Sequence, residues 1–282
     1  MAGERSVLIT GCSSGIGYAA AHYLSRRGYQ VFATARKPED VARLRGEGLE
    51  SLALDLDDPE SIRAAVADVL EATGGHLYGL FNNGGFAQPG AVEDLSRDVL
   101  RAQLETNLLG WLDLTNRILP VMRRQGEGRV IQNSSVLGLV ALPLRGAYNC
   151  SKHALEGLTG TLRLELAGTG IHVSLIEPGP IRSRIRANAY EKLKANIDME
   201  ASPFRERYRA SERRLMKTDD VNRFTLPPEA VAKKLVHALE SRRPKPRYYV
   251  TVPTHLLSGL KRILSTRRLD ALLQGVGRAE QR

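Results

Sequence analysis

Tyr148 and Lys152 stand four residues apart in Ala147-Tyr148-Asn149-Cys150-Ser151-Lys152, with Ser135 thirteen residues before the tyrosine. Positions i and i+4 of a helix share one face, so a helix from Gly146 sets an ammonium beside a phenol. A free tyrosine, with a pKa of about 10, is a poor proton donor or acceptor at neutral pH. A neighbouring cation favours the phenolate, which predicts a lowered pKa and a residue suited to moving a proton at a substrate oxygen. A hydroxyl at Ser135 would bond the same oxygen and stabilise charge developing on it. Spacing alone is not diagnostic. Tyr190 and Lys194 repeat it in charged sequence, with Glu177 instead of a serine thirteen residues earlier, and this second copy reads as chance.

A nucleotide site is predicted upstream. The apolar strand Ser6-Val7-Leu8-Ile9 runs into Thr10-Gly11-Cys12-Ser13-Ser14-Gly15-Ile16-Gly17 and then a helical pattern through Tyr18, Ala21 and Leu24. In a strand–turn–helix of this kind, backbone N–H groups and the helix N-terminus face a diphosphate. The spacing is Gly-x-x-x-Gly-x-Gly, unlike the Gly-x-Gly-x-x-Gly dinucleotide fingerprint. The second strand ends in Ala33-Thr34-Ala35-Arg36-Lys37. An NAD site usually has a carboxylate there, about 20 residues past the glycines, on the ribose hydroxyls. Ala35 removes that carboxylate and Arg36 can pair with a 2′-phosphate, so NADP(H) is the expected cofactor.

These segments resemble the short-chain dehydrogenase/reductase family, over most of the chain. Thr10, Gly11, Ser13, Ser14, Gly15, Ile16 and Gly17 match its cofactor turn, and Asp55-Leu56 looks like its adenine contact. Asn82-Asn83-Gly84-Gly85 is similar to its Asn-Asn-Ala-Gly motif, with glycine at 84. Asn107 fits its helix asparagine, Ser135-Val136-Leu137-Gly138 its serine segment, and Tyr148 and Lys152 its catalytic pair. Pro178-Gly179 and Ile181 look like the wall behind the nicotinamide, with Ser183 where the family usually has threonine. The resemblance implies that a carbonyl oxygen binds between Ser135 and Tyr148 while hydride passes from the nicotinamide and Tyr148 gives the proton. Oxidation of the alcohol is the reverse. It further implies that Lys152 binds the nicotinamide ribose and that Asn107 holds a water linking Lys152 to solvent. Thr-Gly-Cys-Ser-Ser-Gly-Ile-Gly and Ala-Thr-Ala-Arg most resemble the hydroxysteroid/retinol dehydrogenase-like branch and related bacterial aldehyde reductases.

The elements positioning these residues alternate. Strands are predicted near 6–10, 30–34, 51–55, 78–82, 129–133, 171–176 and 247–252; helices near 15–27, 38–46, 58–72, 97–125, 146–167 and 227–240. That rhythm predicts an α/β fold: one Rossmann-type, doubly wound parallel sheet of about seven strands, helices on both faces, in a single domain spanning 1–282. Residues 184–226 break the rhythm and are expected to form a substrate lid. Phe86, Leu139, Val140, Ala141, Leu142, Pro143 and Leu144 are candidate pocket residues and favour an apolar aldehyde or ketone. Trp111 is expected in the core or at a dimer contact.

The formal charge of +10 is uneven: residues 1–181 carry 17 Lys/Arg against 20 Asp/Glu, residues 182–282 carry 24 against 11. No nucleic-acid motif accompanies the basic third, which reads first as a solvated surface. It also motivates an alternative substrate, a thioester on coenzyme A or a carrier protein; a non-catalytic NADP(H) sensor is the other alternative, disfavoured because Tyr148 and Lys152 are both kept. Cys12 and Cys150 lie in site motifs and predict no disulfide, no ligand spacing predicts a metal, and no signal peptide or span of roughly 20 apolar residues is read, so a cytoplasmic location is expected. The apolar helices 97–125 and 146–167, through Leu104, Leu108, Leu109, Leu112, Leu155, Leu158 and Leu162, predict a homodimer or homotetramer. A helical extension over 254–275 carries a basic amphipathic stripe (Leu256, Leu257, Leu260, Ile263, Leu264) that is expected to pack on protein rather than lie on a membrane.

Overall fold

In the computed structural model, residues 5–216 and 223–280 are described. Seven strands form one parallel sheet in the order β3-β2-β1-β4-β5-β6-β7: β1 Ser6–Ile9, β2 Gln30–Ala35, β3 Glu50–Ala53, β4 Gly79–Asn82, β5 Gly128–Asn133, β6 Ile171–Glu177 and β7 Arg247–Tyr249. Strand order reverses between β1 and β4, which opens a crevice at their C-terminal ends.

Side chains alternate across the sheet and define two cores. Val7, Ile9, Phe81 and Ile131 face a layer built from α1 (Gly15–Ser25), α2 (Pro38–Gly46) and α9 (Glu229–Glu240). Leu8, Leu80 and Val130 face the other layer: α3 (Pro59–Ala72), α5 (Gly110–Gln125) and α6 (Gly146–Glu165). Apolar residues on both faces make each central strand continuously hydrophobic, as a doubly covered parallel sheet requires.

The predicted helix 97–125 is interrupted. α4 (Arg97–Leu104) leads into a π-helical turn, Glu105–Leu109, before α5. Such turns insert one residue into the ladder and recur at functional sites. The expected lid, apart from residues 217–222 that lie outside the described set, holds two helices, α7 (Ile185–Asn196) and α8 (Arg205–Met216). They carry their own small core of Ala189, Leu193, Ile197, Tyr208 and Leu215, which closes over Ala91 and Leu144. Fully buried Tyr208 fastens this core: its hydroxyl donates to Asp94 at 2.6 Å and accepts from the Ala91 N–H at 2.7 Å.

The C-terminal extension is a pair of helices, α10 (Val252–Ile263) and α11 (Thr266–Glu280). Its expected apolar stripe packs on the chain's own domain only in part. Leu257, Leu269 and Leu273 pack on Leu139 and Val140, but Leu256 and Ile263 point outward. Leu139 and Val140 are consequently core residues under the extension, not pocket residues. Leu155 is likewise fully buried in its own domain's core, which removes it from the predicted subunit contact.

Candidate active site

The sheet topology gathers the predicted residues around one cleft of about 970 Å³. The turn after β1 reaches the loop after β4 through Thr10, whose buried Oγ1 accepts from the N–H groups of Asn83 and Gly84, each at 2.8 Å. Gly11, with φ +71°, lies so close that a Cβ on it would stand 2.5 Å from the Gly84 Cα. Gly15, with φ +60°, faces Ser183, 3.0 Å from where its own Cβ would be. Both positions need a residue that tolerates positive φ and lacks a side chain.

Along this cleft run Thr10, Gly11, Ser13, Ser14, Gly15, Ile16, Arg36, Asp55, Leu56, Gly84, Asn107, Ser135, Tyr148, Lys152, Pro178, Gly179, Ile181 and Ser183. Gly17 and Asn82 stand behind it. A Cβ on Gly17 would lie 2.3 Å from the Gly11 carbonyl oxygen, and fully buried Asn82 donates to Thr115 Oγ1 at 3.0 Å. Gly17 packs within the turn and Asn82 ties β4 to α5; neither lines the cleft. The floor of the cleft, from exposed Arg36 past the glycine turn to Tyr148, is continuous and polar where phosphates and riboses of a dinucleotide need partners. These residues fit such a cofactor, and the volume exceeds what the substrate alone would need.

Tyr148 and Lys152 share one face of α6, and the Lys152 ammonium stands over two aromatic rings. The Lys152 Nζ lies 5.7 Å from the centre of the Tyr148 ring and only 4.3 Å from that of Trp111. It donates to the Asn133 carbonyl at 2.8 Å. Burial pulls the Lys152 ammonium down to about 7, against which the Glu156 carboxylate holds it up. The Tyr148 phenol is pushed up to about 12 by burial, with a hydrogen bond to Ser135 pulling the other way. Lys152 does not bring the expected lowering, because loss of water around the phenolate dominates. Tyr148 keeps one edge on the open cleft, so solvent moderates the rise.

Asn107 sits in the π-helical turn with its side chain bridging to the main chain of Phe86. Its Oδ1 accepts from the Phe86 N–H at 3.1 Å and its Nδ2 donates to the Phe86 carbonyl at 2.9 Å. It clamps the loop after β4 to the π-helical turn and also lines the cleft.

Three connections escaped the sequence. Trp111, a core residue as expected, donates from Nε1 to the Gly84 carbonyl at 2.7 Å and so joins the loop after β4 to Lys152. Asn133 links Lys152 to Asn83 through its Nδ2, 2.8 Å from the Asn83 Oδ1. Behind the site, Ser134 donates to Glu156, whose other oxygen takes Arg247 at 2.6 Å; Arg247 also pairs with Glu177. A two-carboxylate cluster around one guanidinium has no local sequence signal, because its members come from α6, β6 and β7. Cys12 is buried, with its thiol pushed up to about 12, and Cys150 is exposed; both are free.

Residues 5–194 match the short chain dehydrogenase family. The chain is 44% identical over 272 residues to the uncharacterized oxidoreductase YbbO of Escherichia coli, covering 96% of this chain and 95% of that one. It is 32% identical to the NADPH-dependent 3-dehydrocapnine reductase of Ornithobacterium rhinotracheale, covering 95% of each. Among solved structures, a short chain dehydrogenase/reductase of Burkholderia phymatum in complex with NAD superposes with a TM-score of 0.77 at 28% identity, covering 96% of this chain and 95% of that one. A seven-stranded doubly wound sheet, the cleft at its switch point and these likenesses lead to one conclusion: the chain is an oxidoreductase of the short-chain dehydrogenase/reductase family.

Proposed function

We propose that the protein is an NADP(H)-preferring reductase of apolar aldehydes and ketones, with Tyr148 as proton donor. The observation carrying this reading is the convergence of Ser135, Tyr148 and Lys152 at one end of a cleft whose other end is Arg36. Ala35 offers no carboxylate at the ribose position, and Arg36 and Lys37 line the cleft beside it, which supports a cofactor bearing a 2′-phosphate.

A bound reduced nicotinamide supplies hydride to the substrate carbonyl carbon. The chain's own part is to hold the carbonyl oxygen between the Ser135 hydroxyl and the Tyr148 phenol. A phenol with a raised pKa is protonated at neutral pH, so Tyr148 is poised to give a proton to the oxygen as it gains charge. Ser135 and the nearby ammonium of Lys152 stabilise that charge, and Lys152, tied to the Asn133 carbonyl, stands where it can also meet the ribose. Phe86, Val136, Leu142, Pro143 and Leu144 line the substrate end and favour an apolar group on the carbonyl.

One observation favours a second substrate class. Arg186, Lys192 and Arg214 of the lid also line the cleft, which suits a thioester on an anionic carrier. A screen of aldehydes, ketones and acyl thioesters, followed by loss of NADPH absorbance, tests both readings. Turnover of neutral apolar carbonyls that is lost in Tyr148→Phe supports the first. A Michaelis constant that rises steeply with salt, for thioesters alone, supports the second. No turnover of any carbonyl would remove both.

A further inference from the structure

The C-terminal helices carry a face that the domain does not use. Val252, Leu256 and Ile263 recur at intervals of four and seven, so they form one stripe along α10. They are 61%, 59% and 78% exposed. The stripe cannot turn inward, because Leu257, Leu269 and Leu273 already fix the helix pair to Leu139 and Val140. Single exposed apolar side chains are ordinary, but an aligned row is not. Of ten exposed large apolar residues among the described ones, four (these three and Leu272) lie on this helix pair. Charge gathers at the C-terminal end of the stripe: Lys261, Arg262, Arg267 and Arg268 are all exposed around the corner from α10 to α11. Asp270 is the single acidic residue from 252 to 278.

We propose that this helix pair docks on the surface of an anionic lipid bilayer. Val252, Leu256 and Ile263 enter the boundary between headgroups and acyl chains, and the four cations meet lipid phosphates. Charge selects the bilayer over a second copy of the chain. A two-fold contact pairs this patch with an identical one, which is equally basic and offers no complementary charge beyond Asp270. Among the described residues no helix is long and apolar enough to cross a membrane, so the attachment is peripheral. The helix pair also adjoins the cleft, since Gly277 of α11 lines it and a Cβ there would lie 3.3 Å from Pro143. Docking therefore brings one mouth of the cleft near the acyl chains. The benefit of that placement rests on an apolar substrate, whereas the docking itself does not.

Cosedimentation of the full chain with phosphatidylcholine vesicles, with and without phosphatidylglycerol, tests the proposal independently of turnover. Binding only to the anionic vesicles, released by salt, is expected. The net charge of the chain could cause loose attraction by itself, so the deciding variant leaves charge unchanged. Leu256→Gln with Ile263→Gln should weaken binding about tenfold or more. Lys261→Glu with Arg262→Glu should abolish it. All four positions are exposed, and an unchanged melting temperature verifies folding of each variant. Failure to cosediment at low salt overturns the proposal, and so does binding that survives Leu256→Gln with Ile263→Gln. A wild type that ignores vesicles but loses oligomeric mass with the glutamine substitutions would make the stripe a contact between copies instead.

Discussion

The Lys152 Nζ donates to the Asn133 carbonyl at 2.8 Å, which holds a buried ammonium at the end of β5, over the rings of Trp111 and Tyr148. Burial lowers its pKa from 10.5 to about 7. A lysine whose pKa falls on folding binds fewer protons folded than unfolded between those two values, so its contribution to stability rises with pH across that window. Below about pH 7 the buried charge opposes folding in full. Lys152→Met should therefore raise the melting temperature of the cofactor-free protein at about pH 6, with the gain shrinking toward about pH 10. The Asn133 carbonyl loses one partner, a cost of about 1 kcal/mol that reduces the gain at every pH without changing its slope. Calorimetry across the pH range checks this, and an equal change at all pH values would show that the lysine is not strained by burial.

The same residue shows where sequence reading reaches and where it stops. Helical spacing put Tyr148 and Lys152 on one face, and they are on one face; apolar periodicity and glycine placement gave the sheet, and the strands fall within a few residues of their predicted ends. Both are local properties of the chain. Whether Lys152 points at Tyr148, at Trp111 or at Asn133 depends on how β5 and α5 approach α6, which no local pattern encodes. The π-helical turn at Glu105–Leu109 escaped for a similar reason, since its composition is compatible with an uninterrupted helix. The two lid helices were hidden by charge: α8 is so polar that its apolar face reduces to Tyr208 and Leu215.

Tyr148→Phe removes one oxygen and leaves the ring in place. Loss of the proton donor should lower kcat by about 10²–10⁴-fold, with NADPH binding unchanged. Lys152→Ala should lose both turnover and cofactor affinity, because its ammonium serves the charge and the ribose together. Titration of NADPH fluorescence separates the two effects, and near-normal turnover in Tyr148→Phe would remove the phenol from the mechanism.

Arg36 is exposed at the end of β2 and lines the cleft beside Ala35. Its contact with a 2′-phosphate, as a charge-assisted hydrogen bond, is worth roughly 1.5–3 kcal/mol, so the wild type should prefer NADPH over NADH by about tenfold or more. Arg36→Ala should erode that ratio through the Michaelis constant for NADPH, leaving NADH nearly untouched. Equal efficiency with both cofactors in the wild type would refute the assignment.

Leu109 beside α5, with Leu158 and Leu164 on α6, is 46%, 36% and 74% exposed respectively. Apolar residues on these neighbouring surfaces favour contact with another copy of the chain. A dimer or tetramer is expected by light scattering at micromolar concentration, and Leu158→Glu with Leu164→Glu should dissociate it by burying two charges in the contact. A wild-type monomer would count against it.

Glu156 follows Lys152 by one helical turn on α6. Its carboxylate opposes the effect of burial on Lys152, while Trp111, the Asn133 carbonyl and Tyr148 surround the ammonium without adding charge. On its other side Glu156 takes Ser134 and Arg247, and Arg247 also holds Glu177, whose burial and proximity to Glu156 push its carboxyl up to about 8. Glu156→Gln keeps a hydrogen-bonding side chain but deletes the charge, so the Lys152 pKa should fall further. If the protonated lysine is the active form, the basic limb of the pH profile for kcat/KM must move to lower pH. Glu177 then loses its like-charged neighbour and ionises more readily, which preserves a partner for Arg247 and keeps the fold intact. Activity should accordingly survive on the acid side of the profile and fall away sooner on the basic side, with Glu156→Asp restoring the wild-type limb. A uniform loss of activity at every pH would mean that Glu156 supports α6 through packing alone and does not set the charge of Lys152.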